Sequence, residues 1–227
     1  MAPKHKALTG SAFHDPNNTG PRETHDLRDG GLFSIYAATD ISAPPRAVLD
    51  ALLDVQNWPK WNTFVYSVTI TSHPHPHSKN QRMVEGTNMI FHCQMTPSER
   101  TSSREACSHI SPFRTRQDHP SRPVTYVRWD LHNAMLMIPA FLLKAQRVNE
   151  IEDLGEGRCR YRTWQSFAGW SAGNVRKKYE GPLKERFGDW CRDLKRYVEG
   201  MQGGEGAAEA APRVNGGTTV QTAGSTA

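Results

Sequence analysis

Three histidines separated by prolines, His73-Pro-His-Pro-His77, are the densest set of potential metal ligands in this sequence of 227 residues. Imidazole commonly binds zinc and copper. Alternating prolines favour an extended backbone, however, so the three rings need not converge on one point. A loop also lacks the outer support that fixes ligands. A solvated loop, not a metal site, is expected there. Cys93, Cys107, Cys159 and Cys191 lie far apart with no C-x-x-C pair, which argues against structural zinc and suits free thiols in a reducing compartment. His92 cannot readily activate Cys93, because adjacent strand residues point to opposite faces. Cys107 and His109 share a face by simple alternation, yet a buried structural thiol is the simpler reading. Serine hydrolysis is not expected either, since Ser166 and Ser171 lie near no recognisable partner.

Stronger candidates are polar and aromatic residues on strand faces that otherwise look inward. Along Arg158–Phe167 the arginines occupy one face, which leaves Cys159, Tyr161, Thr163, Gln165 and Phe167 on the other. Tyr161, Thr163 and Gln165 would then need buried partners, from the backbone, water or a guest. Phe64, Tyr66, Phe91, Trp129, Tyr179 and Leu183 supply an apolar wall, and His92 is the imidazole beside it. Either these residues line a pocket or they fill a core, and both readings stay open at this point.

Positioning such a set takes strands and one long helix. Phe33–Ile41 alternates as a half-buried strand. Ser42-Ala-Pro-Pro45 starts a helix with Val48, Leu49, Leu52 and Leu53 at helical spacing, ending before Pro59. Strand patterns follow at Phe64–Ile70, Met89–Met95, Arg104–Ile110, Val124–Leu131, Lys144–Ile151 and Arg158–Phe167, the last two joined by a turn at Leu154-Gly-Glu-Gly157. Short connections without intervening helices imply an antiparallel sheet. From Ala172 to Glu199 one apolar stripe recurs every three or four residues, with a kink or break expected at Gly181-Pro182. The fold class predicted is α+β: a curved antiparallel sheet wrapped around a long C-terminal helix, with two short helices after the first strand. Where sheet and helix do not touch, a cavity is expected. Ala134–Leu143, with Met135, Met137 and Phe141, reads either as a buried strand start or as a mobile lip over its mouth.

Composition narrows the rest. Residues 1–31 and 200–227 are rich in Gly, Pro, Thr and Asn without apolar periodicity and are expected to be disordered tails, leaving a domain at 32–199. Mean hydropathy is −0.67, and no run approaches the roughly 20 apolar residues of a spanning helix. With no secretory or mitochondrial leader pattern, a cytoplasmic location is expected. Net charge is +5. Within 32–199 there are 23 basic and 17 acidic residues, or 23 − 17 = +6, but no basic stripe interleaved with aromatics, so nucleic acid is not an expected partner. A transient membrane contact stays open, as does the oligomeric state.

Ile41-Ser-Ala-Pro-Pro-Arg-Ala-Val48 followed by Leu53-Asp-Val-Gln-Asn-Trp-Pro-Lys-Trp-Asn62 resembles the opening of the SRPBCC (START-like, helix-grip) superfamily. The stretch from Gly169 to Glu199, finishing Leu194-Lys195…Val198-Glu199, resembles its closing helix. That superfamily includes polyketide cyclase/dehydrase-type and coenzyme Q-binding proteins, lipid carriers, hormone receptors and oxygenase domains. The resemblance implies a hydrophobic small-molecule ligand and, if the chain is an enzyme, a cyclase or dehydratase using no cofactor, metal or covalent nucleophile. It equally accommodates a non-catalytic lipid or quinone carrier, or a basic module for an acidic partner or membrane surface. The oxygenase branch is disfavoured, because its Cys-x-His…Cys-x-x-His arrangement is missing.

Overall fold

The structure, a computed structural model, describes residues 6–78, 81–115, 121–132 and 141–209, with side chains as far as Gln202. A single helical turn, Gly10–His14 (α1), precedes the first strand, Phe33–Ile41 (β1), whose Phe33, Ile35, Ala37 and Ile41 enter the core. Pro45 opens Pro45–Leu53 (α2) at a position where its missing N–H costs nothing. A 3₁₀ turn over Val55–Lys60 follows. Trp58 locks that turn: fully buried, its Nε1 donates to the carbonyls of Ala51 and Leu52 at 3.3 and 3.2 Å.

Six further strands follow, Val65–Ser72 (β2), Asn88–Thr96 (β3), Glu99–Ile110 (β4), Val124–Leu131 (β5), Lys144–Gly155 (β6) and Arg158–Ala168 (β7). They join β1 in one antiparallel, curved sheet of order β1-β7-β6-β5-β4-β3-β2. The last described element is the helix Ala172–Glu209 (α3), packed on the concave face against β1, β3 and β7. Its Leu183, Phe187, Trp190, Leu194 and Val198 form the buried stripe. The α+β helix-and-sheet architecture is the one the sequence predicts.

Several boundaries differ. The helix is not broken at Pro182 and runs past 199 to Glu209. A lost backbone bond and ring clash cost about 3 kcal/mol, whereas burying Leu183 and Phe187 just beyond returns roughly 1.5–3 kcal/mol each. β4 starts at Glu99, ahead of the expected Arg104, because its polar residues still pair fully with β3.

The stretch 6–31 does not behave as the disordered tail its composition suggests. It covers the convex face of the sheet, where Phe13 packs beside Tyr36, Val148 and Trp164 in a second small core. Arg22, wholly shielded from solvent, holds it in place. Its guanidinium donates to the carbonyls of Phe13, Asp15 and Asn18 and to Ser34 Oγ, all within 2.7–2.9 Å. Hydrogen bonding by one side chain thus replaces the apolar burial that the segment lacks. Residues 210–227, the rest of the expected C-terminal tail, lie outside the described residues, as do Ala134 to Ala140 of the suggested lip.

Candidate functional site

The concave face is filled unevenly. At one end Trp58, Trp61, Trp129 and Trp190 pack ring against ring, with Trp58 and Trp190 edge to face at 4.9 Å. Beyond this aromatic plug lies a cavity of about 410 Å³, within the range of roughly 300–1,000 Å³ typical of small-molecule sites. Its walls come from β2–β7 and from the first half of α3, with Phe64, Phe91, Trp129 and Leu183 among them.

Two charged residues reach into this apolar space. Arg147 on β6 pairs in register with Gln165 on β7 and Trp129 on β5, so all three face the helix. It is buried, and its guanidinium carbon lies 4.2 Å from the ring centroids of both Phe187 and Trp190. Nε donates to Thr163 Oγ1 at 3.0 Å, but Nη2 is buried without a hydrogen-bond partner. Burial lowers its pKa, yet a guanidinium stays protonated. Among the described residues no carboxylate forms an ion pair with it, so its compensation is aromatic faces and the hydroxyls of Thr163 and Tyr161.

Glu105 on β4 sits opposite Met89 and Leu131, also facing inward. Its Oε2 is buried and unpartnered. Loss of hydration pushes its pKa up to about 7, against the opposing pull of a Ser103 hydrogen bond and of the Arg147 charge. The cavity lining therefore includes a cation with one buried, unpaired donor and a carboxyl with one buried, unpaired acceptor that titrates near neutrality.

No protein-family model matches the sequence. A solved structure of a hypothetical protein from Helicobacter pylori superposes with a TM-score of 0.52 at 14% identity, over 87% of this chain and 99% of that one. The Zhui aromatase/cyclase from Streptomyces sp. R1128 superposes with a TM-score of 0.52 at 12% identity, over 82% of this chain and 98% of that one. The chain has the START-like helix-grip fold. Among curated sequences, an "Oxopyrrolidines biosynthesis cluster protein O" from Penicillium oxalicum is 27% identical over 179 residues, spanning 73% of this chain and 86% of that protein.

Six of the residues singled out from sequence line the helix-grip cavity: Phe64, Phe91, Trp129, Gln165, Tyr179 and Leu183. Tyr161 and Thr163 do face the helix but lie in the packed network beside it. Tyr161 donates to Asn149 Oδ1 at 2.6 Å and accepts from Trp190 Nε1 at 2.8 Å, while Thr163 donates to Asn149 at 3.0 Å. They position Arg147 and do not border the cavity.

Tyr66 and His92 are on the wrong side of the sheet. A register shift between Val65 and Ser67 leaves Tyr66 as an extra residue, so Val65 turns inward and Tyr66 lies outside against Arg100, 4.8 Å from ring centroid to guanidinium. His92 stands on the same outer face, between the hydroxyls of Thr69 and Ser102, each 3.1 Å away. A second register shift, between Cys107 and His109, separates that pair. Cys107 faces inward opposite Trp129, whereas His109 contacts Glu85 at 2.9 Å outside.

Covalent chemistry has little support within the helix-grip frame. The four thiols are buried, and desolvation raises each to about 12, far from a reactive thiolate. Gly169-Trp-Ser-Ala-Gly173 does match the G-x-S-x-G spacing, which sequence reasoning passed over, and it falls at a strand-to-helix turn. Ser171 there starts α3 through its carbonyl, which accepts from Val175 N–H, and among the described residues its hydroxyl bonds to no histidine or carboxylate. Both ring nitrogens of His73 are engaged locally, by the Arg82 carbonyl and the His75 N–H.

Proposed function

We propose that this protein binds a hydrophobic small molecule in the helix-grip cavity and acts on it as a cyclase-like protein of polyketide or terpenoid metabolism. The observation carrying this reading is an apolar cavity of about 410 Å³ whose lining includes Arg147 and Glu105, each with one buried polar atom, Nη2 and Oε2, that has no partner. Buried polar atoms are normally satisfied, so a guest that supplies their hydrogen bonds fits the site. The biosynthesis-cluster relative and the aromatase/cyclase of the same fold support it.

A ketide chain packed against Phe64, Phe91 and Leu183 would be held folded, and holding two reacting carbons together supplies much of a cyclisation's acceleration. Arg147 Nη2 would donate to a carbonyl oxygen. Glu105, as carboxylate, would take a proton from the adjacent carbon, leaving the electron pair as an enolate oxygen facing the guanidinium. The enolate carbon then attacks a second carbonyl, and protonated Glu105 returns the proton to the new alkoxide. No redox partner is needed.

Titration with N-phenyl-1-naphthylamine, a neutral apolar fluorophore, tests the cavity. Fluorescence enhancement is expected, and Leu183→Trp, which fills the space, should abolish it while the protein stays folded. No binding by the parent protein, or equal binding by the filled variant, would overturn the reading. Native mass spectrometry of gently purified protein then identifies a co-purifying metabolite, and turnover of its precursor separates catalysis from simple carriage.

A further inference from the structure

We infer that the guest of this cavity carries an anionic oxygen, a carboxylate or an enolate, at one end of an apolar body, and that Arg147 selects for it. The inference rests on the binding role proposed above and adds the charge of the ligand. A cation this deeply buried is costly unless compensated, and replacing its hydration takes more than aromatic faces. Arg147 has three such faces, the hydroxyls of Thr163 and Tyr161 and an unpaired Nη2, with no carboxylate within ion-pair distance among the described residues. The amide of Asn149, two residues along the same strand, is already committed: its Oδ1 accepts from Tyr161 and Thr163, and its Nδ2 donates to the Val127 carbonyl. Among the described residues no carboxylate is thus paired with this cation.

Glu105 does not fill that role. It shares the cavity but is held apart, two strands away across β5, and desolvation keeps a large fraction of it neutral near pH 7. The groups around it are Arg147 from β6, Ser103 on its own strand, Cys93 from β3 and Asp130 from β5, and the Tyr179 hydroxyl at the rim is held by Glu99. Neutral Glu105 presents an O–H, so an oxyanion placed between the two residues would accept hydrogen bonds from both sides. Ionised Glu105 would repel it. A cationic guest is repelled by the guanidinium, and a neutral one, a ketide before its proton is taken included, binds more weakly than the corresponding anion.

Three naphthyl probes of similar size, the first two isosteric, separate the cases: 2-naphthoate, 2-naphthamide and 2-naphthylmethylammonium. At about pH 6 naphthoate should bind about tenfold tighter than the amide, the scale of one charge-assisted hydrogen bond, and the ammonium should bind weakest. Arg147→Met should remove the preference while retaining N-phenyl-1-naphthylamine binding. Glu105→Gln, isosteric and uncharged, should strengthen naphthoate binding several-fold at about pH 8 and leave the amide unchanged. Should Arg147→Met fail to fold, the parent protein and Glu105→Gln still decide the matter. Equal affinity for naphthoate and naphthamide, with the neutral fluorophore still bound, sinks the anion inference and leaves the cavity reading standing. Loss of all probe binding sinks both.

Discussion

Arg147 and Glu105 share an environment, and burial acts on them in different ways. Arginine cannot shed its proton under ordinary conditions, so its cost is met by packing between Phe187 and Trp190. Glu105 can escape by staying protonated, and its pKa rises to about 7. In the unfolded chain the same carboxyl titrates near its ordinary value of 4.5, so between these values the folded state binds more protons. Stability therefore falls as pH rises from about 4.5 to about 7, by on the order of 3 kcal/mol at most for this one group. Glu105→Gln should flatten that slope, and urea unfolding from pH 5 to 8 checks it; a parent curve rising with pH across this window and unchanged by the substitution would refute it. Neither residue was legible from sequence: counting back from the turn pair Gly155 and Arg158 sets Arg147 opposite Ser166, and a bulge between Asp153 and Gly155 is what brings it opposite Gln165, on the inward face. His92 was misplaced although alternation with Phe91 and Cys93 already put it outside.

Elements were more legible than the sides they present. Alternation located every strand, because period-two burial leaves its mark wherever one face is apolar. A β-bulge shifts that pattern by one residue and leaves no local signal, which is why Tyr66 was expected inside and Cys107 and His109 on one face. The 6–31 segment escaped notice for another reason: it is held by the hydrogen bonds of Arg22 and by Phe13 in a distant aromatic group, and neither is periodic. Arg22→Ala should release it. Removing four hydrogen bonds from a buried guanidinium is expected to cost about 3 kcal/mol. Hydrogen exchange should accelerate across 8–22 and across the Tyr36–Trp164 patch, while fluorophore affinity in the cavity changes by less than about twofold, since the two sites lie on opposite faces. Unaltered exchange in 8–22 would mean that the clamp is dispensable.

Across the whole molecule, the tryptophan plug and the cavity divide the space beneath α3. The plug carries stability, with Trp58, Trp129 and Trp190 fully buried. The cavity end gives up that packing, and among the described residues surface contacts tie its rim. Glu99, at the start of β4, accepts from Tyr179 Oη at 2.8 Å and from Lys178 Nζ at 2.9 Å, joining α3 to the sheet beside the cavity. Those hydrogen bonds hold the Glu99 carboxyl below its ordinary pKa, so the tie persists throughout the neutral range. Nearby, Phe141 packs edge-on against Trp170, which is 81% exposed, and the Leu142 carbonyl accepts from Ser171 N–H. A guest must enter where α3 and the strands separate, and exposed contacts of this kind open more readily than a packed core. Glu99→Ala should therefore speed both uptake and release of the neutral fluorophore, each by about threefold or more, with its equilibrium affinity little changed. The melting temperature should barely move, because an exposed tie adds little to stability. Stopped-flow fluorescence measures both rates. Unchanged rates would place the entry path elsewhere, whereas a large drop in melting temperature would make Glu99 a structural residue of the β3–β4 hairpin and not a latch.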